Sequence, residues 1–436
     1  MWRPKNSPSP GGEGRGEGVP FSNRLNPKMT APHLSPGSHF VGSSAPFDFT
    51  ARTRIIFGAG AVSQIGQLAR EYGGTRVLLV TDPGIAKAGH ADKARASLEA
   101  AGLKVAIFDA TEQNPTTRCV AKALEVAQRN SVDFIVGVGG GSSMDTAKGC
   151  NFLYTNGGEM KDYWGAGKAT KPMLPLIAIP TTAGTGSECQ SYALISDENT
   201  HTKMACGDPK AAARVAILDP LLTVSQPQRV TACTGIDTLT HAVETAVSKK
   251  RNPLSLMFSH EAFKLCVINF PIVLENPSHL EARGKMLLAA AFGGAAIENS
   301  MVGAAHSMAN PLTAHFNVVH GEAVGLVLPA VVRFNAADPA AKLAYAELAS
   351  APELACVSEG LDQAVNALIA RIESLLNLAG MARSLADLKV DPAAIPLLAK
   401  EAHTQWTRNF NPREVSVADF EHLYTQAFVP RGNGDA

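Results

Sequence analysis

From about Ala51 onward, short apolar, β-branched runs recur along the chain: RVLLVTD at 76–82, KVAIFDA at 104–110, DFIVGVGG at 133–140, PLIAIPTT at 175–182 and RVAILDP at 214–220. Runs that are continuously apolar, rather than alternating with polar residues, predict strands buried on both faces. Their separation by helix-like stretches predicts βαβ units of a largely parallel, helix-covered sheet. After about Thr223 the pattern changes to Ala- and Leu-rich sequence with few strand candidates, and RVTACTGIDTLTHAVETAVS and ARGKMLLAAAFGGAAIENS read as helices. The start of the chain follows neither pattern. SPSPGGEGRGEG and HLSPGSHFVGSSAP carry no periodic apolar positions, so they bury too little surface to offset the entropy of ordering. The expected organisation is a disordered tail over 1–45, an α/β domain over 46–222 and an all-helical domain over 223–430, with a cleft between the last two. Met29 is an alternative start. There is no internal repeat.

Composition narrows the function classes. The 436 residues suggest two or three domains, and 45% hydrophobic with 18% charged residues is an ordinary globular balance. Lys+Arg and Asp+Glu are equal at 39 each, which leaves no electrostatic footprint for nucleic acid or an anionic membrane. No uninterrupted apolar run approaches the roughly 18 residues that span a bilayer. The tail lacks the apolar stretch of a secretory signal, and Glu13 and Glu17 argue against a transit peptide. The seven cysteines are scattered, odd in number and free of any C-x-x-C pair, which excludes a zinc ribbon or thioredoxin-like site and points to buried thiols in a reducing cytoplasm.

Three stretches carry chemistry. In GVGGGSSMDTAKG at 137–149 a buried strand ends in glycines that allow close backbone approach, and Ser142 is expected to cap a helix whose N-terminus favours phosphate. It is neither a Walker A loop nor a clean G-x-G-x-x-G, and a plain glycine-rich turn is the competing reading. Asp82, ending the first of these strands, is placed to accept from a ribose diol and to repel a 2′-phosphate, favouring NAD over NADP; a helix N-cap is the equally open alternative. In IPTTAGTGSE at 179–188 hydroxyl-bearing residues follow a strand end, where open α/β sheets bind ligands.

The third stretch is GIDTLTHAVE, where Asp237 and His241 stand at i and i+4 on one helix face. HSMANPLTAHFNVVHGE then adds His306, His315 and His320. One carboxylate with imidazoles suits Fe²⁺ or Zn²⁺, while an i,i+4 ion pair is the bland account of Asp237 and His241. The other histidines are given no role.

Together with ILDP at 217–220, these motifs resemble, in order and spacing from about Phe47 to Phe428, the iron-containing (group III) alcohol dehydrogenase family. The resemblance implies the family's dehydroquinate synthase-like architecture, an α/β dinucleotide-binding domain followed by an all-α metal-binding domain. It implies metal ligands at Asp237, His241, His306 and His320. It places the pyrophosphate loop on Gly139, Gly140, Gly141 and Ser142 with Asp145 behind, and nicotinamide and ribose contacts on Thr181, Thr182 and Thr185. It further implies an adenosine contact at Asn114, a cofactor lysine at Lys203, NAD preference at Asp82, and substrate contacts at Tyr192 and Gln190.

One position departs from the family. Where many members carry a histidine proposed as a proton relay, this chain has Asn310; water, or His315 as a substitute, would then carry the proton. The activity implied is hydride transfer between NAD(H) and a small primary alcohol or diol and its aldehyde or ketone, with Fe²⁺ or Zn²⁺, in a cytoplasmic homodimer or higher oligomer with no nucleic-acid or membrane partner. A hydroxyacid–oxoacid transhydrogenase that retains NAD, and a dehydroquinate-synthase-like lyase, are the alternatives.

Overall fold

The computed structural model describes residues 46–198 and 202–430; the expected tail lies outside them. In chain order the first elements are β1 (Arg54–Phe57), α1 (Ile65–Glu71), β2 (Arg76–Val80), α2 (Pro83–Lys87), α3 (His90–Ala100), β3 (Lys104–Phe108), α4 (Thr117–Arg129), β4 (Phe134–Gly139) and α5 (Gly141–Asn156). Next come β5 (Gly165–Ala166), β6 (Leu176–Pro180), β7 (Tyr192–Ser196), β8 (Lys203–Gly207) and β9 (Val215–Leu218). Six strands form one parallel sheet in the order β1-β9-β6-β4-β2-β3. All five predicted strands lie in it.

The alternation of side chains across a strand explains why those runs are apolar at every position. Val77 and Leu79 of β2 pack with Ile65 and Leu68 of α1 and Ala94 and Leu98 of α3. Leu78 and Val80 point the other way, onto Cys119 and Ala123 of α4 and Met144 and Ala147 of α5. The sheet therefore needs helices on both faces. The chain runs from β2 outward to β3 and then back across to β4, so β2 and β4 flank the point where strand order reverses, the crevice where open α/β sheets take ligands. A second, smaller sheet, β5-β8-β7, was not anticipated; β5 is only two residues long.

Beyond Leu218 the described residues contain no strand. The helices are α6 (Gln228–Val247), α7 (Pro253–Glu275), α8 (Leu280–Asn299), α9 (Ala304–Phe316), α10 (His320–Asn335), α11 (Pro339–Ser350), α12 (Leu361–Leu378), α13 (Ile395–Thr404) and α14 (Val417–Ala427). Helix α6 runs through the centre and is buried at every position from Gly235 to Val247. By length and composition α7 could cross a bilayer, although Ser255, His260, Glu261, Lys264 and Asn269 interrupt its apolar sequence. Its Phe263, Cys266, Val267 and Phe270 are instead buried in the helical core. Six of the seven unpaired cysteines are buried, and Cys356 is exposed.

Candidate functional site

A cleft of about 720 Å³ runs from the carboxyl ends of the parallel strands to the buried face of α6. At its α/β end the loop after β4 and the loop after β6 face one another. Gly139 has φ +151°, and a Cβ there would sit 2.3 Å from Ser143 Oγ, so only glycine turns the chain this sharply into α5. The cap of α5 is not Ser142, as expected, but Gly140, and no side chain caps the helix. Ser142 stands inside the first turn, where its hydroxyl accepts from the Asn114 N–H at 3.3 Å. The first N–H groups of α5 are thus left facing a cleft without a side-chain acceptor, which suits an anion.

Asp82 takes the N-cap position considered for it and also lines the cleft. Its Oδ1 caps α2 by accepting from Ile85 N–H at 3.0 Å, and its Oδ2 accepts from Ser143 Oγ at 3.2 Å. Asn114, in the left-handed region at φ 52°, also lines it, with Gly140, Gly141, Asp145, Thr181, Thr182, Thr185 and Gln190. The buried hydroxyls of Thr111 and Thr181 line the cleft with no hydrogen-bond partner. Unsatisfied buried polar atoms are uncommon in folded proteins, and here they fit a polar ligand such as a dinucleotide.

Behind this wall lies a buried charged network. The Lys148 side chain is fully buried and donates to Ser187 O at 2.6 Å, Ser187 Oγ at 2.9 Å and Tyr192 O at 3.0 Å. Ser187 Oγ in turn donates to Asp145 Oδ1 at 3.1 Å. Burial pushes Asp145 up to about 6 against the pull of Lys148 and Lys203. It pushes Glu188 up to about 7, opposed by a backbone N–H and Lys148. Lys203 lines the cleft at the start of β8; burial lowers its pKa, while the carboxylates of Asp145 and Asp237 oppose that shift. It therefore links the two halves of the site.

At the helical end, α6 presents Asp237 and His241, α9 His306 and α10 its first residue, His320. Two local features bring them together. Asn317 ends α9 in the left-handed conformation at φ 54°, one that asparagine tolerates. Gly321 lets α10 begin against α6, since a Cβ there would lie 1.9 Å from the Cys233 carbonyl oxygen. Asp237 Oδ1 then stands 3.4 Å from His241 Nε2, 3.8 Å from His306 Nε2 and 3.8 Å from His320 Nε2.

A tetrahedral ion with ligand bonds near 2.1 Å holds its ligand atoms about 3.4 Å apart; the ligand atoms of Asp237, His241 and His306 all lie within 4.8 Å of one another, and His320, outside that trio, comes close to Asp237. Asp237 Oδ1 and His306 Nε2 are buried without hydrogen-bond partners, as ligand atoms of a metal would be. Burial alone would raise the Asp237 pKa, but the facing histidines hold it well below the usual carboxylate range. Burial lowers His241 and takes His320 down to about 3, keeping both imidazoles neutral, the form that binds metal. His306 goes the other way: burial lowers it, but Glu244 and Asp237 overcome that and hold it at about 9.

Beside His306 lies an apolar wall. Ile297, Met301 and Val302 cluster with Tyr192, Trp406 and Phe410. Tyr192 stacks on Trp406 with centroids 5.7 Å apart. Asn310, one turn beyond His306, donates from Nδ2 to Gln405 Oε1 at 3.0 Å, and Ser307 Oγ lies 2.7 Å from Thr407 Oγ1. These bonds fasten the Trp406 segment to α9. His315 has no place here: it is 38% exposed, pairs with Glu401 at 2.8 Å and does not line the cleft, so the substitute relay expected of it is withdrawn.

Models of two families match this chain. One, described as iron-containing alcohol dehydrogenase, covers residues 52–220; the other, the C-terminal part of the Fe-containing alcohol dehydrogenase family, covers 231–428. The chain belongs to the iron-containing alcohol dehydrogenase family. Among its relatives, the 1,3-propanediol dehydrogenase of Klebsiella pneumoniae is 36% identical over 88% of this chain and 99% of its own length. The NAD-dependent methanol dehydrogenase of Bacillus methanolicus is 34% identical over 85% of this chain and 97% of its own. A crystal structure of 1,3-propanediol oxidoreductase superposes with a TM-score of 0.85 at 34% identity, covering 88% of this chain and all of that one. As an iron-containing alcohol dehydrogenase, the chain is an oxidoreductase of alcohols and aldehydes.

Sequence reasoning passed over Lys148, Glu244, Gln405 and Trp406. Lys148 follows Asp145 by three residues and Glu244 follows His241 by three, so both share a helix face with residues already singled out. Trp406 and Gln405 reach the site only through the docking of a distant segment and leave no such signal.

Proposed function

We propose that this iron-containing alcohol dehydrogenase transfers hydride between NAD(H) and a small, uncharged primary alcohol or diol, with Fe²⁺ held by Asp237, His241, His306 and His320. The observation that carries this reading is the convergence of Asp237, His241 and His306 at ligand spacing, with His320 beside Asp237, at one end of the cleft that begins at the sheet's strand-order reversal. When bound, the ion supplies Lewis acidity to an alcohol or carbonyl oxygen and the nicotinamide accepts or returns hydride. The chain's own residues do the rest. Backbone N–H groups at the start of α5 and the hydroxyls of Thr181, Thr182 and Thr185 hold the cofactor. Lys148, through the carbonyls of Ser187 and Tyr192, fixes the loop between β6 and β7 beneath it. Ile297, Met301, Val302 and Trp406 exclude water from the reacting end, where electrostatic interactions are strongest. Asn310 cannot relay a proton at neutral pH, so the proton leaves by water.

Two features favour this over the alternatives. Lys203 is the one Lys or Arg among the described residues lining the cleft, and it faces Asp145 and Asp237. A hydroxy-acid carboxylate or substrate phosphate would find no cation at the apolar wall. At the nucleotide end the lining carboxylates are Asp82 and Glu112, which disfavour a 2′-phosphate and support NAD over NADP. Iron rather than zinc, a homodimer or larger assembly, and a cytoplasmic location rest on the family likeness alone.

The test is cofactor reduction at 340 nm by protein reconstituted anaerobically with Fe²⁺ or Zn²⁺, using methanol, 1-propanol, 1,3-propanediol and lactate. Metal-dependent NADH formation from the neutral alcohols, with NADP at least tenfold poorer, is expected. Oxidation of a hydroxy acid without net NADH, seen only when an oxoacid is added to take up the hydride, would replace it with the transhydrogenase reading, and NADH formation from lactate alone would make the substrate a hydroxy acid.

A further inference from the structure

The carboxylate of Glu244 ties two helices together at the histidine cluster. It lies one turn beyond His241 on α6 and is buried. Its Oε2 is 2.5 Å from His306 Nδ1, and its Oε1 accepts from the Ala305 N–H at 2.7 Å, in the first turn of α9. The same side chain thus grips the backbone and the ring of adjacent residues on the neighbouring helix. Because Glu244 holds the proton on Nδ1, the proton that His306 gives up to an incoming ion is the one on Nε2, the atom 3.8 Å from Asp237 Oδ1.

We propose that Glu244 is a positioning residue for the metal: it sets the tautomer and rotation of His306 and fixes the spacing of α9 from the two ligands on α6. This rests on the metal-site reading above. The geometry explains why a carboxylate is required. Two donors converge on Glu244, and a side-chain amide offers one acceptor and one donor, so glutamine can satisfy only one of them. The isosteric change Glu244→Gln must therefore release either the His306 ring or the start of α9.

The experiment titrates metal-free wild type, Glu244→Gln and Asp237→Asn with Co²⁺, read by its visible absorption, alongside NADH binding by fluorescence. Glu244→Gln is expected to bind Co²⁺ about 10- to 100-fold more weakly while keeping its circular dichroism and NADH affinity. Unchanged Co²⁺ affinity would overturn the proposal. Parallel loss of Co²⁺ and NADH binding would overturn it too, since that marks general loosening. If Glu244→Gln does not fold, Glu244→Asp, whose shorter arm cannot reach both donors, takes its place under the same criteria. Failure of wild type to bind Co²⁺, or undiminished binding by Asp237→Asn, would overturn the metal-site reading and this proposal with it.

Discussion

His306 meets carboxylates at both ring nitrogens, with Glu244 at Nδ1 and Asp237 near Nε2, and these hold its pKa at about 9 despite burial. Metal binding needs the Nε2 lone pair, so at neutral pH an incoming ion must displace a proton. Because the folded value is raised, affinity rises with pH, by about tenfold per unit below pH 9 and levelling above it. Calorimetric titration with Zn²⁺ at pH 7.5, in two buffers of different ionisation heat, should report about one proton released per ion. Release of none would contradict the ring's assigned state. Residue types and spacing made much of this cluster legible. Asp237 and His241 share a face by periodicity, and so do His306 and Asn310. The same arithmetic exposes the error over His315. It lies nine positions beyond His306, two and a half helical turns, which puts it on the opposite face. Glu244 was equally readable by spacing, but its task becomes visible only once α9 is seen against α6.

At the scale of elements, the start of α10 is the tightest constraint on the histidine end of the cleft. Gly321 abuts the Cys233 carbonyl, and backbone cannot give way as a flexible side chain can. Gly321→Ala should push α10 off α6, carry His320 with it and cost about 1–3 kcal/mol by overpacking. Thermal unfolding checks the stability and Co²⁺ titration the site; retention of both at wild-type level would show that α10 can start elsewhere. Interior strands were legible because double burial makes them continuous apolar runs. The edge strand β1 is only four residues long, and β5, β7 and β8 owe their pairing to tertiary contacts, so no local pattern announces them. The helix start after β4 was misread for a related reason. Serine is the stronger capping residue, but the helix begins at Gly141, before Ser142, with Gly140 as the cap.

For the whole molecule, the parallel sheet brings hydroxyls and open helix N–H groups to the crevice beside β2 and β4, while the helical half brings three imidazoles and a carboxylate to the far end of the same cleft. Lys203 faces carboxylates of both halves, and Lys148 anchors the loop between them. The change from βαβ pattern to helices announced this division. The cleft's apolar wall was hidden, because Tyr192, Met301 and Trp406 come from three distant segments. The central claim is that one divalent ion binds where α6, α9 and α10 meet. Its most direct test is anomalous scattering at the iron edge from crystals grown anaerobically with Fe²⁺. A single strong peak within about 2.3 Å of Asp237 Oδ1 and the Nε2 atoms of His241, His306 and His320 is expected. A peak elsewhere, or none at full iron loading, would contradict the account.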